Sequence, residues 1–399
     1  MKKIFLLCIM GLMILTACSS EKKTEKEGAA AYKTEAVFPD ELPVYVKKDG
    51  KVGFIDKMGN MVIEPKFGKT YGFSSDGTAA VSVQSYNFGL LEDKWGIINT
   101  KGEYIIEPKF NMIGFFDDKG LCLAAKNYKF GFIDKTGEFV IEPKYDDIGR
   151  FGDNDTAPVN KNGKWGYIDR AGNTVIDFKF DEAGEFADNG LAMVTVNEKK
   201  GYINSSGEYI VEPKYLYSSD FNCFGLARVY DEEKDSTYFI DENGDIAIDG
   251  NGCNISDFSE NGLARITDKD GKDGYIDKTG KIVIEPQFDW ASENWCEGFA
   301  VIKQNGKEVY IDEKGEIVIP PIYDMVYNFD EYGMARVSLD GELLYIDRQG
   351  NVLLKSPYKT ASGMLVNGLI AVSDGEKWGF MDIDGNFVTE LEYEEAQIF

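Results

Sequence analysis

The sequence predicts an all-β fold: a tandem array of about ten units of about 35 residues, each a three-stranded β-meander. Three observations predict it. A Gly-aromatic-Ile-Asp segment with a later Gly recurs ten times along the chain. Each recurrence sits among three short runs rich in β-branched and aromatic residues. A fixed Asp-x-x-Gly spacing separates the second run from the third, as a tight hairpin requires.

The units are legible one by one. Full copies of the segment begin at Gly53, Gly96, Gly131, Gly166, Gly201, Gly274 and Gly379, and degenerate copies at Tyr238, Val309 and Leu344. Successive starts are 43, 35, 35, 35, 37, 36, 35, 35 and 35 residues apart, and an insertion near 84–91 accounts for the first value.

The first strand of a unit is a short apolar run after Gly, as in Gly190-Leu-Ala-Met-Val194 or Gly225-Leu-Ala-Arg-Val229. The second is the repeated segment itself. Its Ile position is apolar in all ten units and the residue before it is aromatic in nine, so both faces are expected to be covered. The Gly that opens the segment removes bulk and is expected to admit close approach of a neighbouring unit or aromatic. The turn follows: Asp or Asn hydrogen-bonds the backbone two residues on, and Gly supplies a positive φ. The third strand, such as Phe139-Val-Ile-Glu142, is followed by Pro-Lys-Phe or Pro-Lys-Tyr. Proline lacks an N–H and is expected to end the ladder there, with the next aromatic entering the core.

The segments Lys94-Trp95-Gly96, Lys164-Trp165-Gly166-Tyr-Ile-Asp169 and Lys377-Trp378-Gly379-Phe-Met-Asp382 resemble the bacterial WG-containing repeat. The resemblance runs from about Val44 to the C-terminus. It marks Trp95, Gly96, Trp165, Gly166, Trp378 and Gly379 as structural repeat positions and implies no catalytic residues. Only three of ten units keep the Trp. Elsewhere the position holds Val52, Phe130, Lys200, Thr237, Asp273, Glu308 or Leu343.

Three short strands cannot bury a core alone, so the units must stack. Propellers usually have four to eight four-stranded blades, and the chain enters and leaves the repeat at one phase. The expectation is therefore an open, superhelical array with degenerate end caps over 43–399. The alternative is a closed propeller-like toroid.

Residues 1–17 read as a signal peptide: Lys2 and Lys3, then an apolar run from Ile4 to Thr16 too short to span a bilayer. The segment Leu15-Thr16-Ala17-Cys18 resembles the lipobox of bacterial lipoproteins. That resemblance implies lipid attachment at Cys18, a membrane partner through the lipid, and an extracytoplasmic place in the cell envelope. Residues 18–42 open with a polar, charged stretch and read as the lipidated Cys and a disordered tether.

The chain has no His among 399 residues and a formal net charge of −26. This excludes His-dependent catalysis and His-ligated metals, and an acidic surplus of this size argues against a nucleic-acid partner. No catalytic residue, cofactor or metal site stands out from the repeat. Asp268-Lys-Asp270-Gly271-Lys-Asp273 and Asp382-Ile-Asp384-Gly385-Asn386 have calcium-loop character but lack the later bidentate Glu of an EF-hand. Cys122, Cys223, Cys253 and Cys296 form no C-x-x-C pair and read as buried small apolar residues, with one disulfide admitted outside the cytoplasm.

Two aromatics outside the repeated segment, Trp290 and Trp295, lie in one connection and are the candidate binding pair. Trp295 can also be read as replacing an inter-unit Phe such as Phe186 or Phe221. Trp290 stands where Asp147 or Glu182 stands elsewhere. The function expected is a non-enzymatic, surface-anchored binding scaffold for protein partners, with cell-wall or glycan binding through exposed aromatics as the alternative.

Overall fold

The computed structural model describes residues 42–87, 90–232, 236–364 and 368–397. The signal segment, Cys18 and most of the tether lie outside these residues. Among the described residues there is no helix, and the strands form ten antiparallel sheets. Nine sheets have four strands. The tenth has three, and an isolated bridge between Ile311 and Ile317 marks the place of its fourth.

The sequence pattern gives only three strands per unit, and the fourth is the short one it hides. In the blade Glu182–Phe186, Ala192–Val196, Lys199–Ile203 and Tyr209–Tyr215, the added strand follows the aromatic that ends the previous unit. In six blades this strand is only two residues long, too short to show period-2 alternation. Each four-stranded sheet thus begins one strand earlier than the sequence unit.

That shift corrects the open-array expectation. The chain starts on the second strand of a blade and ends on the first strand of the same blade. Glu395–Ala396 pairs antiparallel with Val44–Lys48, placing Ala396 opposite Val46 and Glu395 opposite Lys47. The ten sheets therefore form a closed ten-bladed β-propeller, and among the described residues no unit is a cap. Blades are numbered from this one. Val44, Val46, Ile55, Phe380, Tyr393 and Ala396 share one apolar cluster across the junction.

Neighbouring blades meet through the turn glycines. Gly172 and Gly207 have φ near +80° and would set a Cβ at 3.3 and 2.9 Å from the Cγ2 of Ile141 and Ile176 in the preceding blade. Across the closing junction, Gly59 meets Val388 and Thr389 of blade 10 in the same way. The Asp before each turn caps it: Asp169 accepts the N–H groups of Ala171 and Asn173.

The Gly of Trp-Gly works differently from expectation. Trp165 pairs with Phe180 and Tyr167 with Ile176, so two steps on one strand face four on the other. A Cβ on Gly166 would lie 2.6 Å from the carbonyl oxygen of Ile176. The close approach is to the bulged fourth strand of the same blade, not to a neighbouring unit. That bulge also carries the Pro, so strands such as Met61–Phe67 run through Pro65 instead of ending at it. An edge strand at a bulge tolerates a missing N–H. The following Lys lays its ammonium over the next ring, 5.1 Å from the Phe67 centroid and 5.0 Å from that of Tyr215.

The middle strand is covered on both faces as expected: Phe54, Ile55, Tyr167, Ile168, Tyr202 and Ile203 are fully buried. The early insertion lengthens one hairpin, Thr78–Asn87 with Leu90–Asn99.

Candidate axial binding face

Closing the ring brings ten short first strands together at its axis, where neighbouring blades come closest. Consecutive first strands touch: Glu185 accepts the backbone N–H of Arg150 at 2.9 Å, and Asp220 lies against Gly184. Asp220 keeps solvent contact but is crowded on its flanks. Burial, with Glu185 adding, raises its carboxyl above the ordinary range, and Lys200 opposes the shift.

Five first strands are held by a tyrosine of the blade before them. The hydroxyls of Tyr167 and Tyr275 donate to the carbonyls of Gly184 and Ser292 at 2.8 and 2.7 Å, and Tyr202, Tyr310 and Tyr345 make the same bond to Ser219, Tyr327 and Ser362. Burial raises the pKa of all five phenols, so they stay protonated donors. Beside two first strands a Ser Oγ accepts a backbone N–H from the second strand, Ser219 from Arg228 and Ser256 from Arg265.

Three arginines of the Leu-Ala-Arg and Met-Ala-Arg runs complete the clamp. Arg228 donates to the carbonyl of Ile255 and pairs with Asp257; Arg265 donates to the carbonyl of Ala291 and pairs with Glu293 at 2.6 Å. Arg336 donates to the carbonyl of Ala361 and lies over the Tyr327 ring. Sequence reading missed these roles. The signal was present, because Arg228, Arg265 and Arg336 share one register in an otherwise apolar run.

The residue that opens the first strand is exposed in nine blades, and only Thr70 of blade 2 is half-buried. It is variable in chemistry: Met112, Asp147, Glu182, Tyr217, Trp290 and Met325 are among its occupants. Tyr217 is 65% exposed, Met325 48% and Trp290 43%. The preceding Asp is fixed by structure. Asp146, Asp181 and Asp289 each cap the distant hairpin of their own blade and pair with a Lys of the preceding blade (Lys129, Lys164 and Lys272), which holds all three carboxyls below the ordinary range.

Trp290 and Trp295 are not brought together as a binding pair. Trp295 is buried, edge-on to Tyr275 with ring centroids 4.9 Å apart. Phe186 and Phe221 sit against Tyr167 and Tyr202 in the same way, at 4.9 and 4.7 Å. Trp295 is thus the core aromatic of its blade, and Trp290 alone faces solvent. Of the repeat tryptophans, Trp95 is buried and stacks on exposed Tyr71 at 4.7 Å and 6°, while Trp165 and Trp378 are half-buried. Tyr71 and exposed Phe115 form a second aromatic spot that the repeat pattern did not flag.

The acidic loops are occupied by turn geometry. Asp268 accepts the N–H groups of Asp270 and Lys272, and buried Asp273 accepts the Thr267 hydroxyl and the Ala291 N–H. Among the described residues no group of three or more acidic, His or Cys side chains is placed to hold a metal ion. The four cysteines are free thiols. Cys122 is buried, and burial pushes its thiol up to about 12; Cys253 and Cys296 are half-buried and Cys223 is exposed, against the expectation that all four are buried.

Fold and face together define a closed ten-bladed β-propeller built of repeats. The chain belongs to the family described as WG containing repeat, which matches residues 53–85, 95–130, 130–165, 165–199, 201–234, 274–307, 310–342, 345–378 and 378–399. A comparison with curated proteins finds no match. Similar solved structures include a eukaryotic initiation factor, 11% identical with TM-score 0.49, covering 90% of this chain and 97% of that one. Hsv2 of Kluyveromyces lactis is 11% identical with TM-score 0.30, over 49% of this chain and 72% of its own. Sqt1 of Chaetomium thermophilum, solved bound to the N-terminus of the ribosomal protein L10, is 10% identical with TM-score 0.30, over 80% and 94%.

Proposed function

We propose that this protein is a lipid-anchored scaffold of a bacterial cell envelope whose axial face binds a protein partner. The observation that carries the reading is the opening residue of the first strand. It is exposed in nine of the ten blades and differs from blade to blade, whereas the positions around it repeat. A core repeats because packing dictates it, and a surface that departs from the repeat is free to be specific. Trp290, Tyr217 and the two methionines supply the large, adaptable contact residues found at interfaces. The net charge of −26 favours a basic or neutral partner. Cys18 would carry the lipid, and the polar segment after it would hold the ring clear of the membrane.

The test is capture from envelope extracts by the full-length protein at low and high salt, with isolated peptidoglycan as a parallel target. The reading expects one defined protein that elutes with salt and is lost on Trp290→Ala. Salt-resistant retention on peptidoglycan with no protein captured would replace it with the cell-wall reading.

A further inference from the structure

A single position controls how each blade face is filled. Trp165 in blade 4 packs into the cluster formed by Tyr167, Phe180 and Phe186, closing the space between blades 4 and 5. The other occupants of this position also use that space. Val52, Phe130 and Leu343 pack into apolar clusters. Asp273 and Glu308 cross to backbone N–H groups of the next blade, and Lys200 reaches Thr195. In blade 6 the position is Thr237. A cavity of about 400 Å³ opens there, lined by Tyr217, Ser219, Arg228, Tyr230 and Thr237 among others. The segment 235–273 lies between matched copies of the family repeat, so the departure is visible in sequence as well.

The walls have a definite chemistry. Tyr217 and Tyr230 are directly opposite on adjacent strands, with ring centroids 6.2 Å apart and planes tilted by 56°. No other blade places two aromatics at these two registers. Thr237 lies directly across from Tyr230 on the same face of the sheet. Hydroxyl groups and the Arg228 guanidinium complete the lining. Arg228 has its charge balanced by Asp257 at 3.1 Å, yet a guanidinium has five donors and retains N–H groups for a further acceptor.

We propose that this cavity is a binding site for one uncharged sugar unit of a glycan. An aromatic wall takes the C–H face of a pyranose, while hydroxyl and guanidinium groups take its hydroxyls. The volume falls at the small end of ligand cavities. A cationic side chain is disfavoured by Arg228, and a polyanionic glycan by the charge of the whole chain. The site shares Tyr217 with the proposed protein-binding face but not Trp290, which belongs to a different blade.

The test is saturation-transfer NMR and titration of the full-length protein with neutral oligosaccharides, namely N-acetylglucosamine oligomers and glucose- and galactose-based disaccharides. Wild type should bind at least one of them at millimolar concentration. Tyr217→Ala, at an exposed residue, should weaken binding about tenfold. Thr237→Trp restores the repeat's own residue and should abolish binding, with an unchanged thermal transition showing that the ring is intact. Trp290→Ala should leave sugar binding unaffected, which separates this site from capture of a protein. Absence of binding to every sugar tested, or binding undiminished in both Tyr217→Ala and Thr237→Trp, overturns the proposal.

Discussion

The backbone N–H of Tyr45 donates to Gln397 Oε1 at 3.3 Å, joining residues 352 positions apart. Around this bond, Lys47 pairs with Glu395 and Lys48 with Glu392. These surface ion pairs add little to stability. Burial of Val46, Tyr393 and Ala396 in one cluster provides the larger contribution. Closure leaves no open end strand at this junction, which a stacked array would have had to protect.

Inter-blade contact at the turn glycines predicts a local cost at any of them. Gly207→Ala would force a Cβ to within 2.9 Å of Ile176 Cγ2 at a φ of +80°. Strain and overpacking together should cost about 1–3 kcal/mol. Chemical denaturation of the variant measures it. Gly163→Ala meets no heavy atom within 4 Å, although its φ is also +80°, and should cost less by the overpacking share.

Arg265 is a structural clamp, so its loss should destabilise the ring. Its guanidinium reaches the Ala291 carbonyl, Glu293 and buried Asp273. Arg265→Met keeps the aliphatic volume but strips a buried carboxylate of a cation. The expected loss is about 2–4 kcal/mol, read from denaturant midpoints. The double variant Arg265→Met with Asp273→Leu should recover part of it.

Asp188 gives a pH-dependent prediction. A hydrogen bond with Asp153 of the neighbouring blade is the leading cause that raises the Asp188 carboxyl above its ordinary value. A raised acidic pKa means that the folded state holds its proton more tightly than the unfolded one. Stability then falls as pH rises from the ordinary carboxylate value of about 4 through the folded pKa. Asp188→Asn should therefore raise the melting temperature at neutral pH, and the gain should vanish near pH 3. Both groups are largely exposed, so the effect should stay below about 1 kcal/mol. Thermal melts at the two pH values check the sign.

Much of the blade was legible in the sequence because its signals are local. The Asp-x-x-Gly turns, the doubly buried Phe54-Ile55 and Tyr167-Ile168 pairs, and the core aromatic after Pro each follow from residues close together in the chain. The closed ring was not legible, because it depends on a strand of two residues, Glu395–Ala396, that has no periodicity to read. Once that strand is counted, the termini are out of phase by one strand and the ring can close. The exposure of Trp290 was readable from the polar residues at its register, and the burial of Trp295 from the Phe residues at its own. The blade 6 cavity needed the structure, because the absence of an indole at Thr237 says nothing until its neighbours are placed.

The most direct measurement is a cross-link at the closing junction. Lys47 and Glu395 are register partners at the surface, so the double variant Lys47→Cys with Glu395→Cys, on a Cys223→Ser background, places two thiols on adjacent strands. A closed ring predicts that mild oxidation of dilute protein yields one intramolecular disulfide joining the two ends, mapped by mass spectrometry, with a raised thermal transition. Thiols that stay free under those conditions, or that link only between molecules, would contradict closure and return the chain to an open array.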